Sequence, residues 1–323
     1  MTRTPFDATA RDLITGTAII ALCCAAAVYL PVLGFVCFFL LPLPVLFYHV
    51  RFGAQTAFFV SVLGILIFYG LARGFNSDTI LMAGMLGHGF LLGKYVKRHT
   101  PIEKTITYST VTILAAGFLF VVLAGNLSGT GAFSLVSEHI KNNLDVMVSL
   151  YRQVETSEEV ILLLEASVEK IHYALLAILP ALTASMLAIA AWINLLLGRI
   201  ILRSAGFHSP ALGHLNVWQA PEGLVWGVIG CGLFLLFPFE APRVIALNIL
   251  IVTMMVYLLQ GFAIISFYLD KKEVPLFIRI LVYGALAIQQ FLLLFVIGLG
   301  FFDTWFNLRR INSGDKDKDP LSS

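Results

Sequence analysis

A histidine, a short polar loop and a stripe of small residues are the positions whose types and spacing could do chemistry, and each points to a different task. His88, in GMLGHGFLLGK, is the one ionisable side chain that this reading places well inside an apolar run. An imidazole at such depth can relay a proton or touch a substrate. The plainer reading is a hydrogen bond to a neighbouring helix, with Gly84, Gly87, Gly89 and Gly93 allowing close approach. Arg73, Asn76 and Asp78 share a short loop between the third and fourth apolar runs, and Asn126 ends the fifth run on the same side. Together they could bind a small molecule, although a solvated loop has the same composition. In the first run Thr17, Ala21 and Ala25 recur every four residues, a stripe against which another helix backbone can pack, within the molecule or in a partner.

Motifs for turnover are missing. The chain has no nucleophile elbow, Walker loop, HExxH or paired in-membrane carboxylates, so an enzyme is the last expectation. Cys23, Cys24, Cys37 and Cys231 all lie in apolar runs without metal-ligand spacing and are expected only to pack. Neither a metal nor a cofactor is expected. Asn194, Asn248, Gln260, Gln289 and Gln290 read as interhelical hydrogen bonders, because an unpaired amide in hydrocarbon is costly.

The elements that must carry these residues are spanning helices. With 59% hydrophobic and 12% charged residues and a mean hydropathy of +0.90, 323 residues cannot coat soluble domains with polar surface. A span needs about 20 apolar residues. Runs of about that length fall near Leu13–Tyr29, Leu33–Tyr48, Ala54–Leu71, Ile80–Tyr95, Thr105–Ala124, His172–Leu197, Leu224–Phe239, Val244–Tyr268 and Ile280–Phe302. The fold class is therefore an all-α polytopic bundle of about eight or nine transmembrane helices, with the lipid bilayer as solvent. A net charge of +2, without a basic tract interleaved with aromatics, gives no sign of a nucleic-acid partner.

The polar break from Gly198 to Trp226 separates six runs from three. With the N-terminus inside, the inner segments hold Arg3, Arg11, Arg51, Lys94, Lys97, Arg98, Lys104, Arg199, Arg203, Lys271, Lys272 and Arg279, against Arg73 and Arg243 in the short outer loops. The positive-inside rule therefore predicts a cytoplasmic N-terminus in a bacterial inner membrane. One feature resists: nine spans would put Arg309, Arg310, Lys316 and Lys318 outside, so either the last run does not cross fully or an earlier one is interfacial. The segment 126–171 is acidic and is expected outside as an amphipathic helix, with Val136, Ile140, Leu144, Met147 and Tyr151 at helical spacing. A turn near Thr156 and a second helix from about Glu158 into the sixth span would follow. The hairpin reads as a surface cap or as a lid over an outer pocket.

Several stretches in fixed order carry a resemblance: LPLPVLFYHVRFG, NLLLGRIILR, NVWQAPEGLVW, QGFAIISFYLDKKEVPLFIRI and GLGFFDTWFNLRR. On these the chain resembles the YybS-like family of predicted bacterial membrane proteins, a domain of unknown function. Its first six helices are similar to the substrate-binding S subunits of energy-coupling-factor transporters, and more distantly to the rod-shape protein MreD. The resemblance implies an S-subunit-like module over 1–203 with extra helices after the polar break; on the pattern of residues the outer cap is expected at 126–171, a cytoplasmic linker at 204–222, C-terminal transmembrane helices at 223–303 and a disordered polar tail at 304–323. It further implies a small molecule bound near the outer face, at Arg73, Asp78, Asn126 and His88 if the polar positions above serve it. The Thr17, Ala21 and Ala25 stripe would dock a transmembrane coupling subunit served by ATPases. The long acidic insertion and the C-terminal helices depart from the S-subunit pattern. The expected function is thus a non-enzymatic binding or transport subunit; the alternative is an MreD-like scaffold that binds other membrane proteins and no small ligand.

Overall fold

The computed structural model describes residues 5–72, 74, 76–153, 157–207 and 218–309. Twelve helices follow in order: α1 (Pro5–Tyr29), α2 (Pro31–Leu40), α3 (Pro42–Phe52), α4 (Ala54–Leu71), α5 (Ser77–Lys97), α6 (Ile102–Leu127), α7 (Ala132–Gln153), α8 (Glu158–Ser204), α9 (Leu224–Leu235), α10 (Glu240–Lys271), α11 (Leu276–Ile288) and α12 (Gln290–Phe306). No strand occurs among the described residues. Among the described residues seven helical segments are long and apolar enough to cross a membrane, or eight if the bent pair α11 and α12 is one span, which makes this an all-α polytopic membrane protein. The chain divides into two compact units, one formed by 1–135 with 186–213 and the other by 136–185 with 214–323.

In the first unit α1 packs on α4, and α3 on α4 and α5, around a core that includes Ile20, Cys24, Leu41, Val45, Val60, Met82 and Leu86. The expected second span is not one straight helix. Its two prolines, Pro42 and Pro44, cannot donate to the preceding turn, so the span breaks at Leu41 into α2 and α3 and runs on to Phe52. Asn194 of α8 answers the break by donating to the Phe39 carbonyl at 2.8 Å. Gly89 and Gly93 of α5 explain how α3 approaches so closely. A Cβ at Gly89 would collide with the Pro42 backbone, and one at Gly93 with His49. Gly84 and Gly87 carry no such constraint, having open space and ordinary contact respectively.

The second unit holds most of the α7–α8 hairpin and the C-terminal helices. α7 is amphipathic as expected, burying Leu144 and Val148, while Tyr151 at the end of the expected row is exposed. The second hairpin helix does begin at Glu158 and runs unbroken into the sixth span, whereas the turn expected at Thr156 lies outside the described residues. His172 ties the two helices by donating to the Ser137 carbonyl at 3.0 Å, and Arg152 pairs with Glu165. Pro180 sits inside α8, and there Asn248 of α10 inserts into the helix ladder. Its amide donates to the Ala177 carbonyl at 2.7 Å and accepts from the Ala181 N–H at 3.0 Å.

Two expected C-terminal spans differ from the apolar runs. The seventh is a helix only over Leu224–Leu235, and the ninth is broken: α11 and α12 meet at a bend of 104°. Order continues past 303, since α12 reaches Phe306, Asn307 closes it in a left-handed conformation (φ 39°) and Arg309 is buried.

Candidate functional site: an aromatic cavity and a buried polar cluster

A cavity of about 710 Å³ lies in the first unit, where α1 and α4 end and α2 and α5 begin. Helix α5 starts cleanly there because Asn76 caps it. Its side-chain oxygen accepts the Thr79 N–H at 3.0 Å and the Thr79 hydroxyl at 2.9 Å. Asp78 follows in the first turn, where a carboxylate suits the helix dipole. α2 supplies Phe35 and Phe38, α4 supplies Phe68, α1 supplies Tyr29, and Met82 and Met186 complete the walls. The space is aromatic and sulfur-lined, with one carboxylate and one amide to orient a guest. Neither a nucleophile beside a base nor a pair of acids is among its lining residues.

The other expected site residues are not gathered here. Arg73 lies outside the described residues. Asn126 is exposed at the end of α6 and does not line the cavity, and neither does His88. His88 is fully buried, with Nε2 3.2 Å from the Ser109 hydroxyl. That hydroxyl donates to the Thr105 carbonyl at 2.7 Å, so its oxygen accepts from the imidazole Nε2–H. Nδ1 is then a lone-pair acceptor, buried without a partner. This is the interhelical bond of the plainer reading, joining α5 to α6. Thr17, Ala21 and Ala25 are half-buried, one residue round the helix from the row Gly16, Ile20 and Cys24, which faces the core.

Sequence inspection missed a charged cluster in the second unit. Asp303 and Arg309 pair at 2.8 Å with both side chains sealed from solvent. Gln260 of α10 donates to the same carboxylate at 3.0 Å, and the other carboxylate oxygen caps the Leu308 N–H at 2.8 Å. The Arg309 guanidinium also donates to the Trp218 carbonyl at 2.9 Å, and Gln260 accepts the Ala220 N–H at 3.1 Å. The signal was present in GLGFFDTWFNLRR, an acid six residues before an arginine at the end of an apolar run. Hydropathy alone ends the span at Phe302 and gives no sign that Asp303 and Arg309 meet. Asp303, Gln260 and Arg309 each make at least two hydrogen bonds here, and the cluster works as a structural tie.

Comparison with known proteins gives a family and one relative. The family model described as predicted membrane protein (DUF2232) matches residues 18–304. The chain is similar to the uncharacterized protein YybS of Bacillus subtilis (strain 168), 23% identical over 274 residues that cover 82% of this chain and 86% of that protein. No solved structure matches.

Proposed function

The chain belongs to the DUF2232 family of predicted membrane proteins, and from that premise we propose that it is a non-enzymatic binding or transport subunit of the bacterial inner membrane. It holds a small amphipathic molecule in the cavity between α1, α2, α4 and α5. The observation that carries this reading is the aromatic cavity with Asp78 and Asn76 at its rim, on the side that the lysine and arginine bias assigns to the exterior. Aromatic walls supply most of the contact area, and the carboxylate and amide give direction. The similarity to S subunits implied by the sequence motifs is consistent with such a role, with Thr17, Ala21 and Ala25 as the docking stripe.

The test is native mass spectrometry of the full protein extracted gently from its own membranes. A stoichiometric small-molecule adduct is expected. It should be lost in Leu81→Trp, which fills the cavity from an exposed lining position, and weakened in Asp78→Asn. An adduct that survives both changes, or protein partners with no adduct, would replace this reading with the scaffold.

A further inference from the structure

The C-terminal helices define their own path through the bilayer. Helices α9 and α10 are joined by the residues 236–239 and pack as an antiparallel pair, with Ala220, Val225 and Tyr257 in one cluster. The Ala220 N–H bonds to Gln260, so the chain approaches α9 alongside the half of α10 that leads to its C-terminal end. α12 finishes at that end too. The Tyr268 hydroxyl, in the last turn of α10, donates to the Leu308 carbonyl at 2.7 Å, and Arg309 reaches the Trp218 carbonyl just ahead of α9.

α11 starts there as well. Arg279 in its first turn donates to the Val274 carbonyl at 2.7 Å, donates to the Leu269 carbonyl at 3.3 Å and pairs with Asp270. The two helices therefore begin and end at one end of α10, with a 104° bend between them. Their register on α10 limits how deep the bend reaches. Gly300 packs on the backbone of Tyr257 and Gly261. From Gly300 back to the bend at Gln290 the helix rises roughly 15 Å, while α10 extends roughly 26 Å from Tyr257 to its start at Glu240. The bend thus stops about 10 Å or more short of the far end of α10. α11 itself, at about 20 Å, is too short to cross roughly 30 Å of hydrocarbon.

We infer that α11 and α12 form a re-entrant V that enters and leaves the bilayer on one face, latched by Asp303, Arg309 and Gln260, so that the chain leaves the V at Arg309 on the same side as Trp218. Charge agrees. The V keeps Lys271, Lys272, Arg279 and Arg309 on one side, whereas a full crossing would separate Arg309 from the other three. The inference does not depend on which side is the cytoplasm or on the ligand.

Single cysteines at Ser128, Ser209 and Ser322, in full-length protein with the four native cysteines replaced by alanine, test it with a membrane-impermeant maleimide on intact and on permeabilised cells. α8 crosses once between the first two positions, so Ser128→Cys and Ser209→Cys report opposite sides. The expected result is that Ser322→Cys follows Ser209→Cys. Labelling of Ser322→Cys together with Ser128→Cys would overturn the re-entrant V. Should the cysteine-free protein fail to accumulate, protease accessibility of a C-terminal epitope tag on the native sequence gives the same discrimination, protection with the segment 208–217 supporting the V and protection with Ser128 overturning it.

Discussion

At Asp303 three donors converge on one carboxylate: the Arg309 guanidinium, the Gln260 amide and the Leu308 N–H. Removing one member of a sealed ion pair strands the other charge, and Asp303→Leu is expected to cost about 3–5 kcal/mol. The double variant Asp303→Leu/Arg309→Leu should be distinctly more stable than Asp303→Leu alone, because no charge is then left bare. Reversible unfolding in mixed micelles measures both, and equal losses would show that the pair is not the tie described. His88 behaves differently, since its Nε2–H donates to the Ser109 hydroxyl across two helices. Gln at that position keeps a donor, so His88→Gln is expected to lose no more than about 1 kcal/mol. Normal folding with lost transport in the same variant would instead make the imidazole functional.

Helix contacts are decided by a few backbone approaches. Where α10 crosses α12, a Cβ at Gly261 would overlap the Val296 carbonyl, and one at Gly300 the Tyr257 carbonyl. Atoms that belong to two backbones cannot yield as a side-chain tip can. Gly261→Ala is therefore expected to destabilise the second unit by about 2 kcal/mol or more, against the usual gain of up to about 1 kcal/mol for Gly→Ala in a helix. Gly284→Ala in α11, where nothing lies within 4 Å, is the control and should be neutral or slightly stabilising. Thermal unfolding of the two variants side by side checks the contrast. The breaks obey the same economy of partners. Asn194 donates to the Phe39 carbonyl beside the break at Leu41, and Asn248 bridges the ladder at Pro180, so these two breaks are each met by an amide from another helix.

For the whole molecule, the class and the charge bias were legible from composition. Runs of about 20 apolar residues can do little in water except aggregate, and in lipid the backbone must satisfy itself as helix. The start of α8, the amphipathic character of α7 and the interhelical roles of Asn194, Asn248 and Gln260 likewise followed from local pattern and the cost of a bare amide. The candidate site was half legible. Asn76 and Asp78 were visible as a polar loop, but Phe35, Phe38, Phe68 and Met82 look like any lipid-facing or core residue until the helices are assembled. Asp303 and Arg309 were hidden for a related reason, since hydropathy judges each residue as though it faced solvent or lipid alone. Sequence by itself determined that this is a polytopic helical membrane protein, because that depends on summed transfer energies. Only the tertiary structure decided that the last apolar run doubles back and that a charged pair lies buried at its end. Both follow from contacts between segments far apart in the chain, Trp218 and Gln260 with Asp303 and Arg309, whose partners no local pattern specifies.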